Sequence, residues 1–424
     1  MVLLFQWRQL YLIGMINRQL LQHIVSLHSF EKMAFVAGPR QVGKTTLGRL
    51  LQEQRKSPDL YRTWDDAQWR KDVLKSPYGF VDAFRPVDAP KPLAVIDEIH
   101  KFPKWKQYLK GLYDTRKERV DILVTGSGRL DYFQKGGDSL LGRYHMYRMH
   151  PLSVRELAGA ALVDEAYSPQ NTLDALLNSS RSTSEQHDAF ERLYTWGGFP
   201  EPFTKQSQRF TRQWLRERKS LLIREDLRDL FRVHSMGSLE LFAELVAAKA
   251  GSPLTLNTLV EDIGVSQPTL KTWLGFLERV YYAYTIPPYH RMIARALRKD
   301  RKVYLWDWSE IQSEGVRFEN LVASHLLKMC HFTEDFGFEP LRLFYLRDKD
   351  KREVDFLIVK DKTPWILVEA KTTDTTPPPA LSRFADVLGV RHCFLVVRQR
   401  LAGNGIHQGV RVMDAASFCA CLPV

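Results

Sequence analysis

Cysteine is scarce in this chain: four among 424 residues, Cys330, Cys393, Cys419 and Cys421, all in the last quarter. None stands at metal-ligand spacing beside a second pair or a histidine cluster, which excludes a zinc-finger framework. So few thiols also exclude a disulfide-stapled scaffold, and the four are expected to be reduced and mostly buried. Long apolar runs are missing too; none approaches the roughly 20 residues that a membrane helix needs. Met1-Val-Leu-Leu-Phe5 is apolar, but Arg8 interrupts it and no small-residue cleavage site follows. A secretory signal is therefore not expected, and the cytoplasm is the expected compartment. Acid is short relative to base: 49 Asp+Glu against 61 Lys+Arg leave a net charge of +12. That balance favours a polyanionic partner, nucleic acid ahead of anionic membrane, and no membrane partner is expected. No internal repeats are evident.

What is present is a soluble, foldable composition, 44% apolar, in a chain long enough for two or three domains. Its organising stretch is Gly38-Pro-Arg-Gln-Val-Gly-Lys-Thr-Thr46. The pattern G-x-x-x-x-G-K-T lets backbone N–H groups of Gly38, Pro39's neighbours Arg40, Gln41, Val42 and Gly43, and then Lys44, Thr45 and Thr46, close around phosphate oxygens. A short apolar strand (33–37) precedes it and a helix (46–53) follows, pointing its positive end at the phosphates. Lys44 is expected on the terminal phosphates and the Thr45 hydroxyl on Mg²⁺. About fifty residues on, Leu93-Ala-Val-Ile-Asp-Glu98 reads as a buried parallel strand delivering two carboxylates at its C-terminal end. Asp97 would hold the Mg²⁺ through water, and Glu98 would polarise the attacking water. The next strand, 120–125, runs into Thr125-Gly-Ser-Gly128; Ser127, with Thr125 second, is the candidate phosphate sensor. Arg143 precedes a further strand (144–149). Either it acts on the γ-phosphate of a neighbouring subunit or it forms a structural ion pair.

Residues 161–188 are polar and Ser/Asn/Thr-rich, the composition of an insertion or mobile loop. A charged helix over 209–231 carries Arg212, Arg216, Arg218, Lys219, Arg224 and Arg228; a solvated face is slightly favoured over nucleic-acid contact. Three helical stretches (239–249, 256–263, 267–280) and a strand (281–286) form a winged helix-turn-helix pattern. Ser266, Gln267, Thr269, Lys271 and Thr272 then stand at the start of the recognition helix. Such modules bind DNA or serve as protein adaptors, and both remain open. Arg291, Arg295, Arg298, Arg301 and Lys302 make a basic segment suited to DNA phosphates.

Two strands, 353–359 and 365–371, flank a turn at 361–364. A hairpin centred near Lys362 sets Asp355 opposite Glu369, and alternation puts Lys371 on the same face. Two carboxylates and a lysine on one face can bind Mg²⁺ and activate water for phosphodiester cleavage. The alternative is an exposed ion pair on an ordinary hairpin.

Taken together, 38–46, 93–98, 125–128, 139–143, Gly197-Gly-Phe-Pro200, Phe318-Glu-Asn320, Glu353-Val-Asp355 and Glu369-Ala-Lys371 resemble the prokaryotic AAA-type ATPases that carry a C-terminal domain similar to the PD-(D/E)XK nucleases. The likeness runs over nearly the whole chain from Met15, where Met15-Ile-Asn-Arg18 resembles the family's usual beginning. It implies an α/β fold in three parts: a P-loop NTPase parallel-sheet core, a helical and winged-helix middle, and an α/β restriction-endonuclease-like end. The expected layout is an N-terminal helix (1–30), the ATPase domain (31–155), a helical region with a polar insertion (156–236), the winged helix (237–290) and the nuclease-like domain (291–424). The nuclease motif falls on Glu319, Asp355, Glu369 and Lys371. ATP and Mg²⁺ are the implied cofactors, DNA the implied partner, and a homo-oligomeric ring or hexamer a possible assembly. No second arginine sensor stands in a lid.

Overall fold

The computed structural model describes residues 18–28, 30–84, 91–127, 140–227, 235–290 and 300–424. Met15, Gly128, Ser139, Arg228, Arg291, Arg295 and Arg298 lie outside the described residues. The chain divides into two compact units, Met1–His150 and Pro151–Val424. No helix among the described residues is long and apolar enough to cross a membrane.

In the first unit, α1 (Gln19–Leu27) leads into β1 (Met33–Ala37), five apolar residues that are all buried. After the glycine-rich loop comes α2 (Lys44–Gln54), then β2 (Leu60–Thr63), α3 (Ala67–Lys75), β3 (Leu93–Asp97), α4 (Trp105–Arg116), β4 (Asp121–Gly126) and β5 (Tyr144–Arg148). The sheet is wholly parallel with order β2-β3-β4-β1-β5. Such sheets are covered on both faces, which is why β3 and β4 are buried at every position. The order inserts β4 between β1 and β3, and the register sets Ala37 beside Gly126 and Asp97 beside Thr125. The loop after β1, the acids ending β3 and the hydroxyl near the end of β4 therefore meet at one edge of the sheet, where ligands bind in α/β folds.

In the second unit, residues 161–188 are not a mobile loop: they contain α5 (Pro169–Asn178) and the start of α6 (Ser184–Trp196). Their serines, threonines and amides are cap chemistry. Ser168 with Asn171, and Thr183 with Gln186, form reciprocal capping boxes, while Leu173, Leu176, Phe190 and Leu193 face the core. Helix α7 (Gln208–Ser220) follows and continues into a π-helical stretch, Leu221–Leu227. One of its arginines departs from the expected solvated face. Arg218 is buried, its guanidinium 4.3 Å over the Phe199 ring and donating to Tyr281 O at 3.2 Å.

Helix α8 (Met236–Ala248), a short helical stretch at 256–263 and α9 (Gln267–Arg279) come next; α9 turns Leu270, Trp273 and Leu277 inward and leaves Lys271 exposed. Strand β6 (Ala283–Ile286) pairs antiparallel with β7 (Lys302–Leu305). That pairing crosses the expected boundary at 290/291 and ties Lys302 to the middle helices. Helix α10 (Glu314–Asp335) then packs across β8 (Leu341–Arg347) and β10 (Thr363–Lys371) of a mixed sheet, which also holds β9 (Glu353–Lys360), β11 (His392–Val397), β12 (Gly405–His407) and β13 (Val410–Asp414). The order is β12-β13-β11-β10-β9-β8. A final pair of helices, α11 (Pro379–Leu388) and α12 (Ala415–Cys421), completes the unit.

Candidate functional site

At the C-terminal edge of the parallel sheet, the loop after β1 needs backbone conformations that side chains resist. A Cβ on Gly38 would stand 2.4 Å from the carbonyl oxygen of Met149, and Gly43 caps α2 at φ 105°. Lys44 is buried, its Nζ donating to Gly38 O at 2.9 Å and Pro39 O at 2.6 Å, so the ammonium lies inside the curve of the loop. The first turn of α2 presents the Thr45 hydroxyl, which donates to Asp97 Oδ2 at 2.7 Å. Asp97 is a hub. Tyr61 Oη also donates to Oδ2, at 2.8 Å, and Thr125 Oγ1 donates to Oδ1, at 2.6 Å. A hydroxyl and a carboxylate adjacent at a helix N-terminus form a hard-oxygen donor set, and Thr45 and Asp97 fit a Mg²⁺ ion.

Glu98 follows in the left-handed region, φ 55°, its N–H held by Thr125 O at 2.9 Å. Such a conformation is uncommon outside glycine and turns the side chain out of the strand. Its Oε2 stands 3.4 Å from His100 Nε2 and 3.6 Å from Lys101 Nζ. Burial raises its pKa; Lys44 opposes the rise, Asp97 adds to it, and Lys101 and Arg40 oppose it. The Thr125 hydroxyl donates its proton to Asp97, and Ser127 sits just past β4, half-buried. Arg143 forms a two-pronged pair with Asp114, Nε to Oδ1 at 2.7 Å and Nη2 to Oδ2 at 3.0 Å. It lies at the N-terminal end of the edge strand β5, remote from the loop, since its carbonyl accepts from Met33 N.

The second constellation lies on β9 and β10. Their pairing passes an irregularity between Pro364 and Ile366, after which Ile366, Leu367 and Val368 oppose Ile358, Leu357 and Phe356. That register brings Asp355 and Glu369 together. The Asp355 N–H donates to Glu369 Oε2 at 3.2 Å, and the Ala370 N–H donates to Asp355 Oδ2 at 3.1 Å. Lys371 Nζ is 2.7 Å from Glu369 Oε1. Glu319 arrives from α10, accepting from Tyr304 Oη at 2.7 Å. At the centre is a group the sequence had placed on a DNA-binding surface. Lys302 is 1% exposed, with Nζ 2.6 Å from Glu353, 2.9 Å from Glu319 and 3.2 Å from Asp355. Burial pushes the Glu319 and Glu369 carboxyls up to about 7, reinforced by Asp355. Burial would lower the Lys302 ammonium, but its carboxylates outweigh that and hold it well above the usual lysine range. Glu319, Glu353 and Asp355 leave no room for a divalent ion at their common centre, because the Lys302 ammonium already occupies it.

Sequence reasoning missed Tyr61, Tyr304 and Lys302 as site members, since none belongs to a motif. Only the alternation of Lys302 and Tyr304 along one short strand hints at a shared face.

Arg301, of the basic segment, has Nη1 3.4 Å from Thr285 Oγ1. A positive surface lies on α7. Arg209, Arg212, Arg216 and Lys219 line an open groove of about 630 Å³ with Leu215, Glu310 and Gln312.

Residues 30–158 match the family model described as an AAA domain, so the first unit carries an AAA-type nucleotide-binding domain. Residues 187–310 and 314–418 match two domains of unknown function, DUF8612 and DUF4143. An uncharacterized protein of Mycobacterium tuberculosis is 23% identical over 358 residues, 83% of this chain and 72% of that one. One from Haemophilus influenzae is 25% identical over 391 residues, 86% of this chain and 89% of its own. Among solved structures, the Aeropyrum pernix ORC1 protein in complex with DNA aligns with 73% of this chain and 92% of its own, at 14% identity and a TM-score of 0.28. The Thermotoga maritima RuvB Holliday junction branch migration motor covers 64% and 91% at 15% identity and TM-score 0.30.

Proposed function

We propose that this protein is a Mg²⁺-dependent ATPase that binds DNA and couples hydrolysis to its remodelling or processing. The observation that carries the hydrolytic half is the convergence on one sheet edge of Lys44 in its loop, Thr45 on Asp97 at 2.7 Å, and Glu98 projecting beside them. Lys44 and the loop amides would bind the β- and γ-phosphates; α2 would direct its N-terminus at them. Bound Mg²⁺ would supply charge neutralisation on the phosphates, with Thr45 and Asp97 holding it. Tyr61 and Thr125 fix the Asp97 carboxylate through both oxygens. Glu98 would accept the proton of the attacking water, its elevated basicity suiting that task.

The DNA half rests on the +12 net charge and on the cationic groove of α7, with the exposed start of α9, including Lys271, as a second surface in the winged-helix reading. The mixed C-terminal sheet is nuclease-like in layout, with Glu319, Asp355, Glu369 and Lys371 together. Arg143 would serve a neighbouring subunit in a ring only by releasing Asp114.

The decisive measurement is the ATPase rate with and without single-stranded, duplex and branched DNA. Lys44→Ala is expected to lose ATP binding. Glu98→Gln is expected to bind ATP and turn it over at least about a hundredfold more slowly, the scale of a lost general base. Wild-type turnover in Glu98→Gln would remove that residue from its role, and a rate indifferent to every DNA would sink the coupling.

A further inference from the structure

We infer that Lys302 is the permanent counterion of the Glu319–Glu353–Asp355 cluster, taking the place of a divalent ion and fastening β7 to β9. The cluster is then a charge-locked joint and not a metal centre. This does not depend on the ATPase reading, since every residue in it belongs to the second unit.

Mg²⁺ binds oxygen at about 2.0–2.1 Å in octahedral geometry, so an ion shared by these carboxylates needs the volume at their common centre. The Lys302 nitrogen holds that volume, within 3.2 Å of all three.

The lysine is fixed there by its backbone. Lys302 pairs with Ile286 on β6. The next residue, Val303, accepts from Gly251 N at 2.8 Å and donates to Ser252 O at 3.2 Å. At the other end of β7 the buried Asn320 side chain brackets Leu305: Oδ1 accepts its N–H and Nδ2 donates to its carbonyl, both at 2.8 Å. Asn320 is one residue from Glu319 on α10, so the same turn that supplies the carboxylate also clamps the strand that supplies the ammonium. The Tyr345 ring, 5.8 Å from Nζ, adds a cation–π contact.

Glu319, Glu353, Asp355 and Glu369 bring four acids, against the cations Lys302, Lys371 (2.7 Å from Glu369) and Arg347 (2.9 Å from Glu353). Tyr304 Oη and the Ala370 and Asp355 N–H groups add neutral donors to these carboxylates. A divalent ion added beside the retained Lys302 ammonium would bring two further positive charges to carboxylates that already have cationic partners. Among the described residues, no group of three or more His, Cys, Asp or Glu side chains forms a cage for a metal ion.

The test is Mn²⁺ binding to the full chain, followed by the paramagnetic signal of free Mn²⁺ in nucleotide-free protein. Wild type and Asp355→Asn are expected to bind the same number of ions, with no Asp355-dependent site. Lys302→Met is expected to gain one Mn²⁺ per chain, lost again in Lys302→Met/Asp355→Asn, and to recover part of its lowered melting temperature when Mn²⁺ is added. A wild-type site that Asp355→Asn abolishes would overturn the inference. So would a folded Lys302→Met that gains no site. If Lys302→Met does not fold, the wild-type and Asp355→Asn pair decides alone.

Discussion

At the scale of single residues, the nucleotide site is set by what its backbone excludes. Gly38 has the Met149 carbonyl where a Cβ would go, 2.4 Å away, and backbone cannot step aside as a side chain can. Gly38→Ala is therefore expected to move the loop and weaken nucleotide affinity at least about tenfold, a cost of roughly 1.4 kcal/mol. Titration with a fluorescent ATP analogue reads this, and unchanged affinity would show that the loop relaxes freely. Glu98 adds a pH signature. Its pKa is raised by burial, so the carboxylate form that the proposed water activation needs appears at a higher pH than in an ordinary glutamate. Turnover should then rise with pH through that shifted value and flatten above it. An acid limb unchanged in Glu98→Gln would assign the titration elsewhere. The glycines, Lys44 and both acids could be read from sequence because phosphate binding fixes residue type and spacing together. Tyr61 could not, since a tyrosine reaching across from a neighbouring strand leaves no local pattern.

At the scale of elements, α10 shows how one helix can hold a sheet, a neighbouring segment and a pH response. Its His325 is buried, with Nε2 accepting from Val154 N at 3.2 Å and Nδ1 donating to Leu321 O at 2.9 Å. Both nitrogens are thus satisfied only in the neutral ring. Burial lowers its pKa from 6.5 to about 4; Lys328 lowers it further, while the hydrogen bond to Leu321 and the Glu156 carboxylate oppose the shift. The unfolded chain binds this proton at pH 6.5 and the folded one does not until about 4. Stability is therefore present above 6.5 and lost as pH falls through that window, by about 3 kcal/mol at most at about 1.4 per unit. Denaturant midpoints measured across the window should fall for wild type and vary less for His325→Gln; parallel curves would exclude His325 as the source. Asn320→Leu, which strips partners from both backbone groups of Leu305, should cost about 2–4 kcal/mol. A melting temperature within error of wild type would show that β7 does not rely on this clamp. Element existence was legible here from periodicity, but two features were not. Helices α5 and α6 were hidden by their own caps, because the residues that end a helix well are those that fill loops. The β9–β10 register depended on an irregularity at Pro364–Ile366 that shifts the pairing by one residue, and a count from the turn absorbs it only because the centre was placed at Lys362.

At the scale of the whole molecule, the surplus of base is not spread evenly, and its location was the least legible feature. Sequence pointed to a continuous basic run, in which Lys302 proves to be buried among carboxylates; linear density says nothing about which side a strand faces. On α7, by contrast, Arg209, Arg212, Arg216 and Lys219 recur at intervals of three and four and so share one face over about 15 Å. Arg218, out of that phase, points inward. Lys219 is partly engaged, 3.4 Å from Glu244 and 3.9 Å from Glu310. The three arginines are exposed, and among the described residues no aromatic ring lines their groove. A surface of this kind recognises phosphates without stacking bases, so its binding should be indifferent to sequence and steep in salt. Log affinity should fall linearly with log salt, by about 0.9 per phosphate contacted on duplex and about 0.7 on single strands. Replacing Arg209, Arg212 and Arg216 together by Glu should weaken binding to all sequences alike and reduce that slope by about two to three contacts, while ATP affinity is unchanged. Fluorescence anisotropy with labelled oligonucleotides over a salt series measures both quantities. An unaltered slope in the triple variant, with wild type still binding, would move the contact to Lys271 or to Arg301 and its neighbours. Absence of binding by wild type at low salt would remove DNA as the partner.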